Sequence, residues 1–201
     1  EVLWEWFKIN GKQYETFKDF NIPVIVTAAD VLNGSKHIFE SSTEKVVDAL
    51  AHSAGLPFIF RTIRSNSTLV DGGICENLPA AELLGRDTEL GKVIGISFSR
   101  QEVPKMPTNP LKYGLALLDT AMGNSMDRAC ERIGRGFVFP ISTSIGTFDF
   151  NRALNDGLSD DHFGRVSHDV RVWTKSIVPA IQNGTEISFV PPPNADMNSY
   201  E

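Results

Sequence analysis

Leu69-Val70-Asp71-Gly72-Gly73-Ile74-Cys75-Glu76-Asn77-Leu78-Pro79 is the stretch on which the reading of this chain turns. Thr68, Leu69 and Val70 read as a short strand running into Asp71-Gly72-Gly73. A carboxylate at the C-terminal end of a strand, followed by two glycines, stands where α/β enzymes place reacting groups. Glycine tolerates positive φ, and without a side chain it lets another segment or a substrate come close to the carboxylate. An Asp held in this way suits a general base, a group that orients a base, or a metal ligand. Asp-Gly is also among the commonest turn pairs, so the tripeptide by itself is equally compatible with a plain turn.

Working outward, residues 22–28 (Ile-Pro-Val-Ile-Val-Thr-Ala) form a β-branched run without alternation, the pattern of a fully buried strand. Asn33-Gly34 is a turn signal, and residues 36–40 suit the second strand of a hairpin. Ser41, Ser42 and Thr43 offer caps to a helix over 43–53, in which Val46, Val47, Ala49, Leu50 and Ala54 fall at helical spacing before Gly55 and Pro57 end it. Downstream, the pattern predicts an amphipathic helix over 80–84, a strand over 93–98 and a proline-rich loop over 101–110. A long helix over 111–132 follows, with Leu115, Leu118, Met122, Met126 and Cys130 at helical spacing. A strand over 136–141 and helices over 150–157 and 166–181 complete the pattern, while residues 4–20 suit a short helix or a turn before one. Strands alternating with helices predict an α/β fold with a largely parallel sheet.

The chain has 201 residues, 41% hydrophobic and 22% charged, the balance of an ordinary globular chain of one domain or one and a half. Its 19 Lys and Arg against 25 Asp and Glu give a net charge of −6. With no basic run, the electrostatic footprint of a nucleic-acid binder is missing. The longest apolar stretches fall far short of the ~20 residues of a membrane-spanning helix. Cys75 and Cys130 have neither scaffold nor metal spacing and read as unpaired, reduced thiols. The opening residues do not read as a secretory leader, and together with the thiols this predicts a cytoplasmic protein. The chain opens on Val2-Leu3-Trp4-Glu5-Trp6-Phe7 without an initiating Met, which suits numbering that starts inside a longer protein.

Residues 49–79 read Ala-Leu-Ala-His-Ser-Ala-Gly-Leu-Pro-Phe-Ile-Phe, a polar loop, then Leu-Val-Asp-Gly-Gly-Ile-Cys-Glu-Asn-Leu-Pro. This resembles the patatin-like phospholipases, in which a helix ends in a Ser-Ala-x-x-Pro turn followed by an aromatic. Their second signature is Asp-Gly-Gly or Asp-Gly-Ala followed by x-x-x-Asn-x-Pro. Asp71, Gly72, Gly73, Asn77 and Pro79 fit that spacing. The strand before Asp30, and the Thr143 to Phe150 segment with Gly157, also look like the family, so the resemblance covers roughly residues 15–165. It implies the C-terminal portion of a patatin-like three-layer fold, a largely parallel sheet flanked by helices. Residues 1–181 would form that part of the domain, and residues 182–201 a tail or the start of a following segment.

The resemblance further implies a lipid acyl hydrolase working through a Ser–Asp dyad, without metal or cofactor, on phospholipid or another acyl lipid. Asp71 would be the base, Gly72 and Gly73 would shape the loop that presents it, and Asn77 and Pro79 would support that loop. The family's serine lies in a Gly-x-Ser-x-Gly elbow, with an upstream Gly-rich loop supplying oxyanion N–H groups. Neither occurs in the 201 residues; Gly95-Ile96-Ser97-Phe98-Ser99 begins the motif and lacks its closing glycine. The serine is therefore expected from the N-terminal half of the domain, a partner segment in the same or a separate chain. A catalytically inactive scaffold used for binding is the alternative.

Ala51-His52-Ser53-Ala54-Gly55 imitates an elbow, but an elbow follows a strand and opens a helix, whereas here a helix comes first and Pro57 follows. An unrelated hydrolase would need Ser53 with Asp71 or Asp119 and a His such as His168. Asp160, Asp161, His162 and His168 lack metal-site spacing and read as a solvated acidic loop. Asp127, Arg128, Glu131, Arg132 and Arg135 read as an exposed, salt-bridged helix face. Trp4, Trp6 and Phe7 read as core aromatics packed on the missing half. Any membrane contact is expected to be transient and peripheral, through apolar loops such as residues 56–60.

Overall fold

A computed structural model describes residues 8–9, 12–60, 67–84, 86, 93–100, 106–134, 137–143 and a set of positions between 164 and 183. The chain divides into two compact units, one of Glu1–Pro79 with Thr120–Asp127, the other of Ala80–Asp119 with Arg128–Glu201.

In the first unit, β1 (Lys8–Ile9) and β2 (Lys12–Gln13) form a two-stranded antiparallel ladder, where the sequence suggested a helix or a turn before one. A 3-10 turn follows at Phe17–Asp19, and the Asp19 carboxylate accepts the N–H groups of Glu15 and Thr16 just before it. Strands β3 (Val26–Asp30), β4 (Ser35–Phe39) and β5 (Leu69–Asp71) make a sheet in the order β4-β3-β5. Ile22 and Pro23 stay outside the ladder, since proline has no N–H to give it, so the strand begins later than the apolar run suggests.

Asn33 and Gly34 turn the chain between β3 and β4, Gly34 taking φ +60° with open space around it. A connection this short permits only antiparallel pairing. Helix α1 (Val46–Ser53) then crosses the sheet before β5, which also runs antiparallel to β3. The first helical N–H, that of Val46, is satisfied by the Glu15 carbonyl rather than by a Ser or Thr side chain. Ser41 and Thr43 instead form a turn whose N–H groups at Glu40 and Ser41 point at the Glu44 carboxylate. Phe17, Ala28, Phe39, Val46 and Ala49 form the core between helix and sheet, joined by Phe20, Val24, Val26, Leu50 and Leu69.

In the second unit, β6 (Gly95–Arg100) and β7 (Val138–Thr143) pair in parallel from Gly95 opposite Val138 to Arg100 opposite Thr143. The long crossover that parallel strands require contains α3 (Pro110–Ile133). Asn109 caps α3 by accepting the Lys112 N–H at 2.8 Å, Pro110 opens it, and Gly134 at φ +94° closes it. Residues Thr120–Asp127 of this helix belong to the first unit and its two ends to the second. The amphipathic stretch after Pro79 is a 3-10 turn, Pro79–Leu83, rather than an α-helix.

Helices and strands are mixed as the α/β reading expects, but among the described strands parallel pairing is confined to β6 and β7. The sheet that carries Asp71 is antiparallel throughout. No helix of the described residues is long and apolar enough to cross a membrane. The expected helix over 150–157 and the segment 182–201 lie outside the described residues, apart from Asn183, and those described between 164 and 183 are helical.

Candidate functional site

Asp71 is the last residue of β5, opposite Ala28 of the central strand. Its N–H donates to the Gly55 carbonyl at 3.0 Å and the Gly72 N–H to the Ser53 carbonyl at 3.3 Å, so the end of β5 is tied to the end of α1. The chain then turns directly into a one-turn helix, α2 (Gly73–Glu76), with the N–H groups of Cys75 and Glu76 both donating to the Gly72 carbonyl.

Both glycines are required by space. Gly72 has φ −65° and ψ −26°, values open to any residue. A Cβ built on it would fall on the Thr27 carbonyl, with the carbonyl carbon at 2.7 Å and Thr27 Oγ1 at 2.8 Å. A Cβ on Gly73 would lie 2.8 Å from Asn77 Oδ1, 2.8 Å from Met122 Cε and 2.9 Å from Asp71 Oδ1. Of the two reasons the sequence offered for the glycines, close approach is the one that operates; positive φ is not.

The Asp71 carboxylate is half-buried, and Oδ1 accepts the Gly73 N–H at 2.7 Å. Burial pushes the carboxyl above its ordinary range, and the Gly73 N–H opposes that shift without cancelling it. Among the described residues no other hydrogen bond reaches the carboxylate. One oxygen is thus held, and the other is left to accept a proton. A carboxylate whose pKa is moved toward neutrality is a better base at neutral pH than an ordinary solvated one.

The loop after Asp71 is held from three sides. Asn77 brings its side-chain oxygen beside Gly73, and its N–H donates to Ser125 Oγ at 2.7 Å. Ser125, 2% exposed, and Met122 lie on the part of α3 that belongs to the first unit. Glu76 is buried and pairs with Lys36 Nζ of β4 at 3.5 Å. Pro79 is exposed and opens the 3-10 turn. Thr27, Met122 and Ser125 were not singled out as site residues from the sequence. Helical spacing marks Met122 as inward-facing and puts Ser125, three residues on, along the same side, but spacing does not say which loop they meet.

Among the other candidates, Ser53 meets the Asp71 loop through its backbone carbonyl, which accepts the Gly72 N–H. Ser53 is the final residue of α1, the reverse of an elbow serine that opens a helix. His52 is buried, with Nδ1 3.4 Å from Ser67 Oγ and its ring stacked on Phe39 at 6.2 Å, which fits a packed helix-end residue. Ser97 lies within β6, not at a strand-to-helix turn. Asp127, Arg128, Glu131 and Arg132 are exposed on α3, as an ion-pair face requires, and Arg132 reaches Glu82 at 4.0 Å. Cys75 is half-buried and Cys130 buried, and no disulfide joins them. Among the described residues no three His, Cys, Asp or Glu side chains group as metal ligands. His168 is exposed; Trp4, Trp6, Phe7, Asp160, Asp161, His162 and Gly157 lie outside the described residues. No model of a known protein family matches the chain, and no curated protein matches it.

Proposed function

We propose that this chain supplies the carboxylate half of a Ser–Asp acyl hydrolase acting on phospholipids or related acyl lipids, as the likeness of residues 49–79 to the patatin-like phospholipases implies. The reading is carried by Asp71, a half-buried carboxylate with one oxygen held by Gly73 N–H, a raised pKa, and a glycine pair that leaves no room for side chains. The nucleophilic serine comes from a segment outside these 201 residues, because no Gly-x-Ser-x-Gly occurs within them.

Asp71 takes the serine hydroxyl proton as the serine oxygen attacks the ester carbonyl. Collapse of the tetrahedral intermediate breaks the ester bond, and Asp71 returns the proton to the departing alcohol. Water then attacks the acyl-serine, giving Asp71 a proton that passes back to the serine as the fatty acid leaves. No histidine takes part, so the packed position of His52 is no obstacle. The absence of the elbow motif equally favours a second reading, an inactive scaffold used for binding.

The test is hydrolysis of a short-chain p-nitrophenyl ester and a fluorescent phospholipid by the parent polypeptide, wild type beside Asp71→Asn. Loss of at least about a hundredfold in kcat at unchanged Tm is expected for a general base. Equal rates for both proteins would remove Asp71 from the chemistry, and no hydrolysis by either would leave the scaffold reading.

A further inference from the structure

Asn33 and Gly34 sit at the tip of the hairpin between β3 and β4, and both are exposed. Gly34 takes φ +60°, and a Cβ built on it would meet nothing within 4 Å. Among the described residues nothing accepts its N–H. The other backbone nitrogens of the turn are held. The Val31 N–H donates to the Thr68 carbonyl at 3.0 Å, and those of Leu32 and Asn33 donate to Asp30 Oδ1 at 3.0 and 3.3 Å. The nitrogen that follows the asparagine side chain is thus the unbonded and unshielded one.

The Asn33 side chain has a fixed partner in the same turn. Its Nδ2 donates to Asp30 Oδ2 at 2.6 Å, and this bond does most to hold the Asp30 carboxyl below its ordinary range. An asparagine side-chain carbonyl is open to attack by the backbone nitrogen of the next residue. A glycine there removes the crowding that a Cβ presents. Asparagine counts among the heat-labile residues of proteins.

We propose that Asn33 is a self-modification site, converted to aspartate or isoaspartate through attack of the Gly34 nitrogen on Asn33 Cγ. The Gly34 N–H proton passes to water as the N–Cγ bond forms. The Cγ–Nδ2 bond breaks and ammonia leaves, so that a five-membered cyclic imide remains. Water then opens the imide. Cleavage of the N–Cγ bond gives aspartate, and cleavage of the bond from the same nitrogen to the Asn33 backbone carbonyl carbon gives isoaspartate. The reaction is independent of the acyl-hydrolase reading. Its product puts a second carboxylate where an amide donor faced Asp30, so a hydrogen bond is lost and two like charges are left together. Asp30 pairs with Ser35 of β4 and Leu69 of β5, so conversion loosens the hairpin end of the sheet that carries Asp71.

The experiment is incubation of this chain in warm, weakly alkaline buffer, followed by peptide mass mapping. Native wild type is compared with urea-unfolded wild type and with native Gly34→Ala. The peptide that carries residue 33 is expected to gain the mass difference between OH and NH2. Its native rate should fall within about tenfold of the unfolded chain's, because an exposed turn opens locally at little cost. Gly34→Ala is expected to slow the reaction at least about tenfold, since a Cβ crowds the attack. Alanine is disfavoured at φ +60°, so a reaction that ran through global unfolding would instead speed up in that variant. Converted protein, separated by anion exchange, is expected to melt at a lower Tm than the starting protein. The proposal is overturned by retention of the Asn33 amide in the native protein or by a native rate further below the unfolded one. A rate unchanged or raised by Gly34→Ala, or a converted protein with an unchanged Tm, overturns it equally.

Discussion

Asp30 and Asp71 each end a strand of the same sheet, and each carboxylate accepts the N–H two residues on, from Leu32 at 3.0 Å and Gly73 at 2.7 Å. Their acidities nevertheless move in opposite directions. Asp30 sits in an exposed turn where the Asn33 side-chain amide donates at 2.6 Å and its N–H at 3.3 Å, and these bonds, with the Thr68 side chain, hold the carboxyl below its ordinary range. Asp71 has one such bond and is half-buried, so loss of water outweighs it and the carboxyl rises. The turn chemistry is shared; the surroundings separate a solvated turn from a candidate base.

The packing that creates those surroundings gives the largest expected effect. Gly72→Ala drives a Cβ into the Thr27 backbone and is expected to destabilise the chain by about 3 kcal/mol or more in urea unfolding, the upper range of overpacking. Gly34→Ala, in the Asp30 turn, has open space and only its positive φ to resist it, so roughly 1–2 kcal/mol is expected. If the two substitutions cost the same, the Asp71 loop is not the tightly packed member of the pair. Ser125→Ala removes the buried acceptor of the Asn77 N–H and is expected to cost about 1–3 kcal/mol. Ser125→Thr, which keeps the hydroxyl, should cost less.

The smallest effects are the pH dependences, which carry opposite signs. A raised folded pKa at Asp71 means that its contribution to stability is full below the ordinary carboxylate value and is lost as pH rises through the raised value. Asp71→Asn should therefore flatten the stability profile in the window above the ordinary value and leave neutral-pH stability at or above that of the wild type. A lowered folded pKa at Asp30 means that its contribution is full above the ordinary value and is lost as pH falls through the lowered one. Asp30→Asn should lose stability at neutral pH and show no gain. Thermal melts across the acid range read both.

Much of the first unit was legible because its signals are local. The Asn33-Gly34 turn, the helical spacing from Val46 and the strand that runs into Asp71 each declare themselves within a few residues. The long helix was legible from the apolar spacing between Leu115 and Cys130, and its ends fall within one residue of those expected. Strand direction was not legible in the same way. Alternating helices and strands suggested parallel pairing, but β3, β4 and β5 are ordered by a hairpin and a helical return that leave every neighbour antiparallel. The partners of the Asp71 loop were also hidden, because Ser125 meets Asn77 across 48 residues and a period within one helix carries no record of what packs on it. The glycines were recognised and their reason was open; only Thr27 and Met122, brought up by the fold, decide it.

Its surroundings set Asp71 apart from the turn carboxylate Asp30. The direct measurement is a 13C NMR titration of the side-chain carboxyl carbons of Asp30 and Asp71 in the same sample. Asp71 is expected to titrate above the ordinary aspartate value and Asp30 below it. Titration of the two together, or Asp71 below Asp30, would contradict it and leave Asp71-Gly72-Gly73 a turn.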